Sequence, residues 1–318
     1  MLTTTFSDSY KTNQRNIDMI IDFHTHTFPE QIAKRAIAKL SNSAHIKSYS
    51  DGTLEGLKQS MKTAGIDYAV LQPVVTKPAQ QEDINRLAIE TNEHFPDTGI
   101  LSFGGIHPDN EDYKEILKSM AQHGIPGVKL HPVFQKTYFD DIRYLRIMDC
   151  ACENGLIILI HAGRDASFPG ADYVIPGRIR SALKQVRPDK LVLAHMGGWG
   201  CWEEAEELLA GYNVYLDTAF TLSPLRSNTE DSSFTSSPPR SNTDSSAVPQ
   251  QYTPLSREQF LRMVKNFGAD RILFGTDNPW ADMAESLELV RESGLKASEL
   301  EAVLGGNAAR LLGSILEL

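Results

Sequence analysis

The chain has 318 residues, of which 41% are hydrophobic and 23% are charged, a composition typical of a globular protein. Lysine and arginine total 31 against 41 acidic residues, and the resulting net charge of -10 argues against general nucleic-acid binding. No apolar run reaches the roughly 18 residues of a membrane span, and the first residues lack the apolar core of a secretory signal. We therefore expect a cytoplasmic protein that binds neither nucleic acid nor membrane.

Eight short apolar segments recur along the chain, separated by segments with helical spacing such as 82–95 and 110–124. Most are continuously apolar, which is expected of parallel strands that are covered on both faces. The predicted strands are 19–24, 68–74, 99–106, 127–131, 156–161, 190–195, 213–217 and 271–276. No glycine-rich phosphate loop follows an early strand, so an open nucleotide-binding sheet is disfavoured. The pattern predicts an α/β fold, a (β/α)8 TIM barrel formed by a single domain.

Two polar regions fall outside this pattern. Residues 1–18 are predicted to be a flexible extension before the barrel of residues 19–318, and translation from Met19 is left open as an alternative. Residues 223–254 are rich in serine, threonine and proline and contain the imperfect repeat SPLRSNTEDSS and SPPRSNTDSS. Such a composition predicts a disordered insertion after the seventh strand, on the active-site face, and a tolerated insertion is favoured over a lid.

Histidines cluster where predicted strands end, which is where barrel enzymes place reactive groups. They are His24, His26, His107, His131, His161 and His195. His24 and His26 are two residues apart in an extended chain and therefore project from one face. A His-x-His pair alone is equally compatible with packed or solvated side chains. His161 and Asp277, however, each end a distant buried strand, and a buried carboxylate requires a cation or hydrogen-bond donors. Together these groups predict a metal site.

Six motifs, MIIDFHTH, GVKLHP, LIHAG, LAHMGG, ILFGTDNPW and GGNAARLLG, resemble the amidohydrolase superfamily, most closely its amidohydrolase-2 group of metal-dependent TIM-barrel hydrolases. The resemblance implies that His24, His26, His161 and Asp277 bind one catalytic divalent ion, usually zinc. It also implies that Asp277 handles the proton of the attacking water. His195 would ligate a second metal or act as an acid or base.

Further residues leave alternatives open. In binuclear relatives a lysine on the fourth strand is carboxylated and bridges two metals, and Lys129 occupies that strand, where His131 shares its face. Lys129 is equally suited to pair with a substrate carboxylate or an internal acid. His107 lies in a GIHP motif that resembles TatD-type nucleases and is a candidate for substrate or second-metal contact.

Three candidate substrate-binding residues follow the strands that carry the predicted ligands. Arg164 is suited to a substrate carboxylate, although a solvated loop arginine is an equal alternative. Trp199 and Trp280 are candidates for an apolar pocket wall, with simple core packing as the alternative.

We expect an enzyme that hydrolyses a C–N or C–O bond of a small molecule such as an amide, lactone or ester. The alternative is non-oxidative decarboxylation of a small carboxylic acid, since the same group contains metal-dependent decarboxylases. A TatD-like nuclease and a non-catalytic barrel are less favoured. Barrels of this kind often dimerise, and a homodimer is left open.

Overall fold

The computed structural model describes residues 19–224, 226–228 and 253–317. The predicted extension 1–18 and most of the predicted insertion 223–254 lie outside these residues. Parallel strands alternate with helices along the described chain. The strands are β1 (Ile21–Thr25), β2 (Tyr68–Leu71), β3 (Ile100–Ser102), β4 (Gly104–Gly105), β5 (Gly127–Leu130), β6 (Ile157–Ile160), β7 (Leu191–Leu193), β8 (Tyr215–Asp217) and β9 (Ile272–Leu273).

Helices follow most of the strands and form the outer layer. They are α1 (Glu30–Ala44), α2 (Leu54–Ala64), α3 (Gln81–Glu93), α4 (Phe95–Thr98), α5 (Tyr113–Gln122), α6 (Pro132–Gln135), α7 (Ile142–Glu153), α8 (Pro176–Leu183), α9 (Trp202–Leu209), α10 (Arg257–Phe267), α11 (Met283–Arg291), α12 (Ala297–Glu301) and α13 (Asn307–Leu312). None of these described helices is long and apolar enough to cross a membrane.

The strands close into the predicted barrel. Neighbours pair in parallel in the orders β1-β2-β3 and β4-β5-β6-β7-β8-β9. The third predicted strand is divided into β3 and β4 at Phe103, whose backbone N–H still donates to the Leu71 carbonyl at 3.0 Å. Phe23 closes the ring by donating to the Phe274 carbonyl beyond β9 at 2.8 Å. All eight predicted strands are therefore confirmed, with one interruption.

The two faces of each strand enter different apolar clusters, which explains the continuous apolar runs in the sequence. On β6, Ile158 and Ile160 pack in the larger cluster that includes helix residues, whereas Leu159 belongs to the second cluster with Phe23 and Phe103. His161 continues the alternation of Leu159 and therefore faces the barrel interior. The alternation along the strand thus places the His161 side chain inside the barrel, at the C-terminal end of β6.

The C-terminal GGNAARLLG motif supports the opposite end of the barrel. A Cβ on Gly305 would lie 2.1 Å from the Met19 carbonyl oxygen, so only glycine fits this approach. The Asn307 amide donates to the carbonyls of Ala269 and Ile272, both at 2.7 Å. This motif is therefore structural and anchors the C-terminal helices beside β1 and β9.

Candidate metal centre

Two of the predicted site residues have backbone conformations that are unusual for L-residues. His195 follows β7 with φ of 58°, and Asp277 follows β9 with φ of 68°. Such left-handed conformations cost about 1–3 kcal/mol each and tend to occur at functional sites. Asp277 N–H donates to the His24 carbonyl at 2.8 Å, and His195 N–H donates to Asp217 Oδ1 at 2.8 Å. These bonds hold both turns and fix the direction of their side chains.

The first group of metal-binding side chains consists of His24, His26 and Asp277, whose ligand atoms all lie within 4.8 Å of one another. Asp277 Oδ1 is 3.0 Å from His26 Nε2 and 3.5 Å from His24 Nε2. Burial alone would raise the pKa of Asp277, but the hydrogen bond from His26, together with the nearby imidazoles, lowers it well below its usual range. The group therefore contains an ionised carboxylate.

A second pair is formed by His161 and His195. His195 Nδ1 lies 2.8 Å from the Ala219 carbonyl and His161 Nε2 lies 2.8 Å from the Arg164 carbonyl. A carbonyl only accepts, so these two nitrogens carry the protons of the neutral rings. The remaining nitrogens, His195 Nε2 and His161 Nδ1, face each other at 3.1 Å as two lone pairs. Two facing acceptors require a shared proton or a cation.

This donor set fits a divalent metal. Zinc–nitrogen bonds are about 2.0–2.1 Å long, so one ion can bind two imidazole nitrogens that are 3.1 Å apart. The structure brings three of the four predicted ligands into one group and joins the fourth, His161, to it through His195. The His24 and His195 ring centroids are 5.2 Å apart. Because His195 Nδ1 donates to the Ala219 carbonyl, His195 Nε2 is available to bind a cation.

Burial keeps the other imidazoles neutral, as metal binding requires. It lowers the pKa well below the usual histidine value at three positions, and nearby positive charges add to the effect. These positions are His24, His131 and His161.

Asp217 is a site residue that the sequence analysis missed. It ends β8, is fully buried, and accepts a hydrogen bond from His24 Nδ1 at 2.8 Å. Burial raises the pKa of Asp217 to about 6. With its other oxygen it accepts from the backbone of His195 and Ala219 at 2.8 and 3.1 Å. Asp217 therefore orients His24 so that Nε2 presents its lone pair to the metal group. A carboxylate that ends a buried strand was the available signal.

Asp22 is a second missed carboxylate, in the same DFHTH motif as the ligands. It is fully buried and accepts from the backbone of His24 at 3.1 Å and of Thr276 at 3.0 Å. Burial raises the pKa of Asp22 to about 7, although bonds from Thr276 and His24 partly oppose the shift. Asp22 thereby ties the ends of β1 and β9 together just behind the ligands.

Lys129 lies within the site, as predicted for the fourth barrel strand. Its Nζ is 3.1 Å from His24 Nε2, and only 1% of the residue is exposed. Burial lowers the pKa of Lys129 to about 8, with the carboxylates of Asp217 and Asp277 acting in the opposite direction. The amine is thus easier to deprotonate than an exposed lysine.

His131 lies on the other side of His161, and Asp165 is a further residue that was not predicted. The His131 and His161 rings are stacked with centroids 4.3 Å apart. Asp165 Oδ2 lies 3.7 Å from His131 Nε2 and 3.9 Å from His161 Nε2. Because His161 Nε2 donates to the Arg164 carbonyl, it is not free to bind a metal here. His131 and Asp165 therefore form a polar wall of the site that is suited to contact a substrate.

The remaining predicted residues differ in their placement. Trp199 and Trp280 line the cleft above the metal centre. Gly163 lets Trp199 approach, because a Cβ there would lie 2.2 Å from the Trp199 backbone nitrogen. His107 and Arg164 are not among the described residues that line the cleft: His107 Nδ1 accepts from Asp109 N–H at 3.2 Å, and the Arg164 side chain is exposed.

Comparisons with known proteins agree with this architecture. The family model described as Amidohydrolase matches residues 21–314. The uncharacterized TIM-barrel protein Bb4693 from Bordetella bronchiseptica is 20% identical, with a TM-score of 0.68 over 93% of this chain and 99% of that chain. No curated protein sequence matches the chain.

Two further solved structures carry printed activities. A dihydroxybenzoic acid decarboxylase from Polaromonas sp. JS666, with bound manganese and the inhibitor 2-nitroresorcinol, is 13% identical with a TM-score of 0.61, over 94% of this chain and 99% of that chain. A putative 2-pyrone-4,6-dicarboxylic acid hydrolase from Pseudomonas putida is 17% identical with a TM-score of 0.58, over 93% and 97% of the two chains. At these identities the similarity establishes the barrel fold.

Proposed function

This chain belongs to the amidohydrolase family, and from that premise we propose that it is an enzyme that hydrolyses a C–N or C–O bond of a small molecule with the help of a divalent metal ion. The observation that carries the proposal is the ionised Asp277 carboxylate among buried imidazoles, 3.0 Å from His26 Nε2. A bound ion lowers the pKa of water to near 7 and polarises a carbonyl.

Different side chains have different roles in the proposed reaction. His24, His26 and Asp277 would hold the ion, and the hydrogen bond of Asp217 to His24 Nδ1 leaves the lone pair of His24 Nε2 for it. Asp277 accepts a proton from the attacking water as the new C–O bond forms. It returns that proton to the departing amine or alcohol as the scissile bond breaks.

His161 and His195 supply the remaining nitrogen donors. They would either complete the coordination of the same ion or hold a second one, and Lys129 Nζ lies 3.1 Å from His24 Nε2, close enough to take part in a second site. We retain one zinc ion as the prediction. Metal analysis of the purified protein, with manganese as the alternative to zinc, distinguishes the cases. A stoichiometry of two ions for each chain, accompanied by a bicarbonate requirement, would support a carboxylated Lys129.

Decarboxylation of a small aromatic acid is the second candidate, and a specific feature of the cleft favours it. Six aromatic side chains line the cleft, at Phe28, Phe134, Phe168, Trp199, Phe220 and Trp280. Phe134 and Phe168 contact edge to face with centroids 5.2 Å apart, and Trp199 and Phe220 are 5.9 Å apart. Such walls suit a flat ring, and dihydroxybenzoic acid decarboxylase shares the fold.

One experiment tests the metal requirement and separates the two reactions. The protein is stripped with a chelator, reloaded with zinc or manganese, and assayed on aryl amides, lactones and hydroxybenzoates in oxygen-18 water. Hydrolysis incorporates the label into the product acid, whereas decarboxylation releases carbon dioxide and leaves the product unlabelled. Full activity in protein verified to be metal-free would contradict both candidates.

A further inference from the structure

The cleft extends well beyond the metal centre. Its volume is about 1430 Å³, which exceeds the roughly 300–1,000 Å³ of a usual ligand pocket. From His24 and Asp277 the same cavity continues outward between α1 and α3. We call this outer part the α1–α3 groove, and define its walls by Ile32, Ala36 and Leu40 on α1 and by Ile84, Leu87 and Ala88 on α3.

Helical geometry aligns these apolar side chains along the groove. Ile32, Ala36 and Leu40 are spaced four residues apart, so they form one stripe on α1, and Ile84 and Ala88 form the matching stripe on α3. Ile32 is 40% exposed and Leu87 37% exposed, and these two belong to only four large hydrophobic side chains in the described chain that are so exposed. The groove thus leaves apolar surface in contact with water on both walls.

Charged residues beside the groove help to decide whether a second copy of the chain or a small apolar ligand occupies it. Arg35, Lys39 and Asp83 also line the cleft, and all three are exposed. Lys39 and Asp83 adjoin the apolar stripes within the cleft lining, so a second copy that filled the groove would have to bury them, and interface cores are depleted of lysine and aspartate. A narrow apolar chain, by contrast, can lie between the stripes while the charged groups remain hydrated. Residues 32–44 of α1 span about 18 Å at 1.5 Å per residue, which is long enough for a medium-length alkyl chain.

We propose that the α1–α3 groove binds an extended apolar tail, and that the substrate is an amphiphile whose polar end reacts at the metal centre. The assignment of the reactive end rests on the proposed function. The assignment of the tail rests on the two apolar stripes and on the continuity of the groove with the site.

The test is a length series of n-alkyl hydroxamates, from acetyl to decanoyl, titrated into the zinc-loaded protein by calorimetry. The hydroxamate head binds at the metal centre, and each methylene that enters the groove should raise the affinity roughly fourfold. Ala36→Trp fills the groove from α1 and should flatten the series. Ala38→Trp, on the exposed side of the same helix and away from the cleft, is the matched control and should retain it. Leu87→Glu places a charge on the opposite wall at an already exposed position and should also flatten the series.

Each outcome bears on one part of the proposal. A series without length dependence in the native protein, or one that is unchanged in Ala36→Trp and Leu87→Glu, overturns the tail site. If affinity in the native protein does not depend on alkyl length, and Ala36→Trp has a smaller mass in solution than the native protein, the groove binds a second copy. That result also overturns the tail site. Length dependence that persists after chelation supports the groove, while binding of the acetyl compound that is indifferent to metal contradicts the proposed function alone.

Discussion

Replacing Asp217 with asparagine should weaken metal binding without touching a ligand. Asp217 Oδ1 accepts from the backbone of His195 and Ala219, and Oδ2 accepts from His24 Nδ1 at 2.8 Å. In Asp217→Asn the amide oxygen must keep the two backbone donors, because leaving a buried donor unpaired costs about 1–3 kcal/mol. The amide NH2 then faces His24 Nδ1.

Two donors cannot face each other, so the proton of His24 moves to Nε2, the nitrogen that the metal needs. Loss of such a supporting contact typically weakens metal affinity by about 10- to 100-fold, equivalent to about 1.4–2.7 kcal/mol. The dissociation constant is measured by competition with a chromophoric chelator. Asp67→Asn is the control, because Asp67 accepts the Ile20 N–H at 2.8 Å at the opposite end of β1.

The result is interpretable only if the variant folds, which thermal denaturation of the metal-free proteins establishes. A folded Asp217→Asn protein whose zinc affinity stays within about twofold of the native value would refute the tautomer argument. Equal weakening in Asp67→Asn would show instead that the loss is a general effect on the barrel.

Three further predictions address charge and packing. Metal affinity should rise as the pH increases through about 8, because Lys129 then loses its charge beside His24 Nε2; Lys129→Met should lack this step in chelator competition at pH values on either side. Burial lowers the pKa of His131 in the folded chain. When the pH falls below 6.5, the ordinary pKa of histidine, His131 therefore takes up a proton in the unfolded chain but not in the folded chain. Urea denaturation of the metal-free protein should therefore show the native chain losing stability relative to His131→Gln as the pH falls below that value, and a constant difference would contradict the assignment. Leu159→Ala, at a fully buried position inside the barrel, should cost about 2–5 kcal/mol of unfolding free energy, whereas Leu87→Ala at its exposed position should change it by less than about 1 kcal/mol.

The local sequence was sufficient to predict the barrel, and it singled out the polar residues at the ends of its strands. Continuous apolar runs mark strands that are buried on both faces, and this is a property of each segment by itself. His24, His26, His161 and Asp277 were predicted as metal ligands because a polar side chain at the end of a buried strand needs a partner there. The division of the third predicted strand at Phe103 was not visible, because its pairing changes while its apolar character does not.

Only the tertiary structure decided how these groups are arranged around the centre. The separation of His24, His26 and Asp277 from the His161–His195 pair depends on distances between strands that are remote in sequence. The tautomers depend on partners such as the Ala219 carbonyl and Asp217, which come from other strands and loops. The groove between α1 and α3 likewise arises from two helices that the sequence places about forty residues apart. A sequence pattern specifies which face of an element is apolar, whereas the opposing surface is set by packing.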